Sequence, residues 1–197
     1  LTLITSFFLV NLLLLMFLYS YILIISLIII ALISWIEFYA LISKIIIKNR
    51  FKDKLLRFIF KSFSLFYLLF LVFIILFIQV EKPDLRIYIY YSLLVSILSD
   101  IGGLLVGKFF KGRKLTNISP NKTISGSMGS FIFSILLVPI FINNFSNQGV
   151  LSLLIITLVI SLTSQVGDII ISLLKRKAKV KDTSDLLPGH GGVLDRI

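Results

Sequence analysis

Residues 1–47 read LTLITSFFLVNLLLLMFLYSYILIISLIIIALISWIEFYALISKIII, and Glu37 and Lys44 are the only charged side chains among them. A helix crossing the hydrocarbon core of a bilayer needs about 20 consecutive apolar residues. This run is long enough for two such helices, with the break expected near Tyr19-Ser20-Tyr21. Glu37 and Lys44 are seven residues apart, about two helical turns, and so share one side of the second helix. Charge is costly against lipid, so that side is expected to face protein or the membrane interface.

The rest of the chain follows suit. Of its 197 residues 58% are hydrophobic and 15% charged, and the mean hydropathy is +1.06. A soluble domain carries more charge and less apolar surface. Further spans are predicted at about 62–80, 87–107, 124–142 and 150–174, six in all. The fold expected is therefore all-α, a polytopic integral membrane protein. The loops 48–61, 108–122 and 175–197 hold 17 of the 20 Lys and Arg, whereas the turns 81–86 and 143–149 hold two. Six spans place the three basic segments on one side, which the positive-inside rule makes cytoplasmic, together with both termini. The formal net charge of +11 then speaks for anionic lipid headgroups and phosphates as partners. Nucleic acid is not expected, because the charge is not gathered on a soluble domain.

No cysteine is present and only one histidine. Thiol catalysis, disulfides, thiolate metal sites and multi-histidine zinc sites are thereby excluded. Oxygen ligands remain, and these suit hard cations such as Mg²⁺. The chain opens on Leu1 with no basic leader before the apolar run and stops at Ile197. It is expected to be a fragment at both ends.

Four places could carry chemistry. Asp100, near the cytoplasmic end of the fourth span, is an intramembrane carboxylate. Its neighbours Ser99, Gly102, Gly103 and Gly107 also suit close helix packing. Asp168 lies in the last third of the sixth span. Gly167 beside it would permit close backbone approach, and Lys175 two turns on would either neutralise it or share a site with it. In ISPNKTISG, 118–126, Ser119-Pro120 reads as an N-cap and first helical residue. Lys122 and Thr123 would then stand in the first turn, where free N–H groups can hold phosphate, although a plain cap explains the same residues. Fourth is the tail KRKAKVKDTSDLLPGHGGVLDRI, 175–197. A basic run is ordinary at a cytoplasmic helix end. Asp182 following Lys181, the Pro188-Gly189 break, the Gly191-Gly192 pair and adjacent Asp195 and Arg196 go beyond it. Glycines there let backbone amides approach a phosphate.

From Ser172 on, SLLKRKAKVKDTSDLLPGHGGVLDRI closely resembles the C-terminal signature of phosphatidate cytidylyltransferases. That pattern is Ser, two residues, Lys-Arg, four residues, Lys-Asp, then Pro-x-His-Gly-Gly and Asp-Arg. Gly167-Asp168, Asp100, Gly107 and Ser119-Pro120-x-Lys122-Thr123 look like family positions in the right order. The resemblance covers about 95–197, which divides the chain into N-terminal spans, 1–94, and a catalytic region, 95–197. Departures are Ile124-Ser125-Gly126 where the family often has Trp-Glu-Gly, and Ile171 where it often has Glu.

The resemblance implies transfer of cytidylyl from CTP to phosphatidate, giving CDP-diacylglycerol and pyrophosphate, with membrane lipids as surroundings and a homodimer open to an enzyme of this kind. It implies Mg²⁺ on Asp168 and Asp195, with room for a second cation such as K⁺. Lys122, Lys175 and Lys181 would neutralise phosphates, with Arg176 and Arg196 beside them. Ser119 and Thr123 would donate hydrogen bonds, and Gly191 and Gly192 would line the ligand. Asp182 would support the metal, Asp100 the substrate, and His190 would either bind phosphate or order the loop. The expected location is a bacterial inner membrane, with the site facing the cytoplasm. Rival readings are a CTP-dependent polyprenol or phytol kinase, a transporter, and an inactive relative.

Overall fold

The computed structural model describes residues 7, 11–12, 14–16, 18–47, 50–116, 119, 122–145, 149–184, 186 and 191–195. They form α1 (Ser20–Ile45), α2 (Phe51–Glu81), α3 (Arg86–Phe110), α4 (Ile124–Ile135), α5 (Val138–Phe141) and α6 (Val150–Lys177). Short 3₁₀ turns occupy Pro83–Leu85 and Ile142–Phe145. Five stretches are long and apolar enough to cross a membrane: Ser20–Ile45, Phe51–Glu81, Pro83–Phe110, Ile124–Phe145 and Val150–Lys177. The protein is an all-α integral membrane protein. The first of the six expected spans lies largely outside the described residues. Its break from α1 falls at Tyr19, as expected.

One expected loop is helix. The basic segment from Phe51 to Lys61 is continuous with the third span, in a helix of 31 residues. No Gly or Pro interrupts 51–81, and Asp53 in the first turn suits the positive end of the helix dipole. At 1.5 Å per residue this helix is about 46 Å long, well beyond the roughly 30 Å hydrocarbon core. The surplus is its basic first three turns.

The chain divides into two compact units, Leu1–Pro83 with Leu174–Ile197, and Asp84–Leu173. In the first, α1 packs on α2. The Trp35 indole N–H donates to the Lys61 carbonyl at 3.3 Å, and the Lys61 ammonium sits 3.1 Å from the centre of the Tyr39 ring. In the second, α3 and α4 pack along small residues. A Cβ on Gly102 would lie 2.6 Å from the Gly129 carbonyl, and one on Gly126 would lie 2.7 Å from the Gly103 carbonyl. Backbones approach this closely only where side chains are absent. At the other end Tyr91, Val95, Leu137, Val138, Phe145 and Leu153 form a buried core. The Tyr91 ring meets Phe141 and Phe145 edge-on at 5.2 and 5.3 Å.

Pro139 breaks the fifth span. It has no N–H for the Ile135 carbonyl, so α4 stops and α5 restarts after a turn at 136–137. Hydroxyls knit α3 to α6: Tyr91 to Thr157 at 2.5 Å and Ser99 to Ser161 at 2.9 Å. Gly167 does not serve close approach: no described atom lies within 4 Å of a Cβ placed there.

This contrast is testable. Gly102→Ala forces a methyl against a carbonyl and is expected to cost about 1–3 kcal/mol. Gly167→Ala gains helix propensity and is expected to be neutral or stabilising by about 0.5–1 kcal/mol. Thermal unfolding of both variants in one detergent checks the order.

Candidate active site

The described polar groups gather in two clusters, one in each unit. In the Asp84–Leu173 unit the segment after α3 folds back on itself. The Leu115 N–H donates to the Lys122 carbonyl at 2.8 Å and the Ile124 N–H to the Arg113 carbonyl at 2.9 Å. This pairing sets Thr123 as the N-cap of α4, its hydroxyl accepting from the Gly126 N–H at 3.1 Å. Ser119 therefore does not cap the helix. Its own N–H donates to the Thr116 hydroxyl at 3.2 Å, and its carbonyl accepts from the Lys122 N–H at 3.1 Å. Pro120 lies outside the described residues. The helix starts later than expected because Thr123 satisfies a free N–H and is locked by the fold-back.

Lys122, so placed, reaches α6. Its ammonium is 2.6 Å from Asp168 Oδ2, and the Asp168 side chain remains 42% exposed. Asp100 on α3 faces Ser164 and lies within electrostatic reach of both Asp168 and Lys122. A chain of side chains continues inward: Ser127 donates to Gln165 at 2.5 Å, Gln165 donates to Ser161, and Ser161 meets Ser99. Three expected residues, Asp100, Lys122 and Asp168, are thus brought together. The lysine that neutralises Asp168 is Lys122.

The second cluster is the tail. Helix α6 ends as the Val180 N–H bonds the Lys175 carbonyl at 3.0 Å, with Lys179 in the left-handed conformation. Lys175 then pairs with Asp195 Oδ1 at 2.5 Å. Asp195 Oδ2 accepts from the N–H groups of Thr183 at 2.8 Å and Gly192 at 3.0 Å, and faces the Thr183 hydroxyl at 3.0 Å. The Asp195 side chain is 6% exposed. Gly191 has φ +82°, and a Cβ there would meet Asp195 Oδ2 and Asp182. A Cβ on Gly192 would overlap the Thr183 hydroxyl and the Glu37 carboxylate. Lys181, Asp182 and Arg176 are exposed. His190 and Arg196 lie outside the described residues.

Glu37 was expected only to face protein or the interface. It is 2% exposed and bonded to the tail, whereas Lys44 is exposed in the last turn of α1. A lone carboxylate in an apolar run was the available signal, but nothing local named its partners.

Each cluster offers carboxylate oxygen, the donor type a hard cation takes. Each expected ligand, Asp168 and Asp195, already holds an ammonium at contact distance through one oxygen, the kind of charge a Mg²⁺ would supply. Among the described residues no three His, Cys, Asp or Glu side chains gather, so a bound ion would draw further oxygens from water or substrate phosphate.

The family profile described as Cytidylyltransferase family matches residues 2–197. The chain belongs to the cytidylyltransferase family. It is 46% identical over 113 residues to the phosphatidate cytidylyltransferase of Staphylococcus aureus strain COL, covering 56% of this chain and 43% of that one. It is 42% identical over 113 residues to those of Staphylococcus haemolyticus and Bacillus subtilis strain 168, covering 56% of this chain and 43% and 42% of theirs. The matched part is thus less than half the length of these relatives. No solved structure matches.

For this cytidylyltransferase-family chain the tail makes a pH prediction. Burial pushes the Asp195 carboxyl up, but Lys175, the Thr183 and Gly192 N–H groups and the Thr183 hydroxyl outweigh it and hold the group below the usual 3.8. A depressed value means the pair's contribution is present above pH 3.8 and is lost as pH falls through the lower folded value. Carboxyl-carbon NMR titration of Asp195 in metal-free protein should give a midpoint below 3.8, and Lys175→Met should raise it.

Proposed function

We propose that this protein transfers the cytidylyl group of CTP to phosphatidate, giving CDP-diacylglycerol and pyrophosphate. The observation that carries this reading is the pair of lysine–carboxylate contacts, Lys122–Asp168 and Lys175–Asp195, in a chain whose relatives are named phosphatidate cytidylyltransferases.

The chemistry asks for what these clusters hold. A phosphatidate oxygen attacks the α-phosphorus of CTP, a new P–O bond forms, and the bond to the bridging oxygen of the β-phosphate breaks. Pyrophosphate leaves with that electron pair. The nucleophile is already anionic near neutral pH, so a strong base is not required. The difficulty lies in gathering polyanions and stabilising spread charge. Lys122, Lys175 and Lys181, with Arg176, neutralise phosphate oxygens. The Thr123 hydroxyl accepts from the Gly126 N–H and meets the Ser125 hydroxyl at 3.1 Å; Thr123 and Ser119 are the hydroxyl donors of the proposal. Gly191 and Gly192 belong to the proposal as lining of the ligand site, while the N–H groups of Gly192, Val193 and Leu194 are already engaged by Asp195 and Glu37. Asp100 and Asp182 shape the two clusters, while His190 and Arg196 belong to the phosphate-binding part of the proposal.

Magnesium belongs to the same proposal, held by Asp168 and Asp195 with K⁺ as a candidate second cation. When bound it supplies charge neutralisation at the transferring phosphoryl group. With the ion on Asp168 and Asp195, Lys122 and Lys175 would be free to neutralise phosphate oxygens. The reading places the site at the cytoplasmic face of a bacterial inner membrane, open to cytosolic CTP and to phosphatidate in the facing leaflet. Its support is the concentration of Lys and Arg in three segments and the bacterial relatives.

The test uses a full-length version with cytidine-labelled and γ-phosphate-labelled CTP. Cytidine in the lipid product is expected, whereas γ-phosphate alone would identify a lipid kinase and overturn the reading. Asp168→Asn or Asp195→Asn should lower Mg²⁺-dependent incorporation by about a hundredfold or more, since a metal's share is several kcal/mol. Wild-type turnover in either variant would sink the metal assignment.

A further inference from the structure

The buried Glu37 takes no part in the proposed reaction, yet its environment is the most elaborate on the apolar helices. It lies eight residues before the end of α1, about 12 Å along the helix. A carboxylate at such a place costs several kcal/mol unless donors surround it. Four do. Glu37 Oε2 accepts from the Thr183 hydroxyl at 2.8 Å and the Leu194 N–H at 2.8 Å. Oε1 accepts from the Ser184 hydroxyl at 2.6 Å and the Val193 N–H at 3.0 Å. Four bonds fill the acceptor capacity of a carboxylate.

The donors come from two separate pieces of the tail, 183–184 and 193–194. Glu37 thus staples together the two ends of a loop. The same pieces hold Asp195: the Thr183 N–H bonds its Oδ2, and Leu194 is its neighbour in the chain. The Thr183 hydroxyl has a single proton and stands between Glu37 Oε2 at 2.8 Å and Asp195 Oδ2 at 3.0 Å. Gly192 passes through the middle, where any side chain would collide with both Thr183 and Glu37. Asp195 in turn fixes Lys175. The sequence of contacts runs from Glu37 to Thr183 and Leu194, then to Asp195, then to Lys175.

We infer that Glu37 is a positioning residue for cytidylyl transfer: from α1 it clamps the tail loop so that Asp195 and Lys175 are set before substrate arrives. This rests on the function proposed above. Glu37 touches neither Asp195 nor Lys175 by a hydrogen bond of its own, so it acts through the tail.

Glu37→Gln tests it in the full-length protein. The substitution keeps size and replaces one acceptor oxygen by an NH₂ group, which faces donors and leaves them unpaired. Hydrogen exchange of the wild type should show the Val193 and Leu194 amides protected, and Glu37→Gln should lose that protection. Steady-state assays should show kcat lower and the half-saturating Mg²⁺ and CTP concentrations higher, each by roughly tenfold. A role in fold stability alone removes active molecules and lowers the maximal rate without moving either half-saturation value. Unprotected Val193 and Leu194 amides in the wild type would overturn the clamp. Protection lost in Glu37→Gln with half-saturation values unchanged would overturn its role in positioning. A wild type that moves no cytidine into lipid would strike the function itself, and the exchange data would still decide whether the clamp exists.

Discussion

Hydrocarbon offers no hydrogen bonds, so each polar group on these helices has to find its partner inside the protein. That constraint explains most of what is ordered about the structure. Ser26, Ser34 and Thr157 return their hydroxyls to carbonyls of their own helix one turn back. Tyr91 and Thr157, and Ser99 and Ser161, satisfy each other across α3 and α6. Each bond is worth about 0.5–1 kcal/mol, but leaving it unmade would cost more. The polar residues therefore specify which helix faces lie together, while the many exposed Phe, Leu and Ile side chains are what a lipid-facing surface requires.

Glu37 is the extreme case of the same rule. A buried carboxylate demands several donors, and a single helix cannot turn its own N–H groups toward its side chain. The donors must come from irregular backbone. A polar, glycine-bearing tail that folds onto a membrane helix meets that need, and the tail gains a fixed shape in return. The glycines follow from this arrangement. Gly191 supplies a positive φ and Gly192 supplies the space between a hydroxyl and a carboxylate.

Much of this was legible in the sequence, and what was not has a common cause. Span positions follow from apolar run length, and the boundary at Tyr19 fell where a polar residue interrupted the run. The small residues around Gly102 marked helix packing correctly, because a missing side chain has one main use there. Helix α2 was truncated in the reading because its first turns are basic, and charge was taken for loop although no breaker residue was present. Partners were harder. Lys175 stands seven residues from Asp168 and was the local candidate, yet Asp168 pairs with Lys122, 46 residues earlier. Thr183 and Glu37 are 146 residues apart. Periodicity shows which face of a helix a group occupies; it carries no information about which distant segment meets that face.

The two lysine–carboxylate pairs bear on how a strongly basic membrane protein rests without substrate. Lys122 and Lys175 would otherwise stand partly desolvated and uncompensated, and so would Asp168 and Asp195. Paired, each lysine is held in place against a carboxylate oxygen. In the reaction proposed above, cations would go to the carboxylates and phosphates to the lysines, so ion contacts would be exchanged rather than lost. Preorganised charge of this kind is the main means by which a phosphoryl-transfer site stabilises its transition state. In the reading inferred above, that preorganisation would rest on Glu37 of α1, whose hydrogen bonds reach Thr183, Ser184, Val193 and Leu194 of the tail.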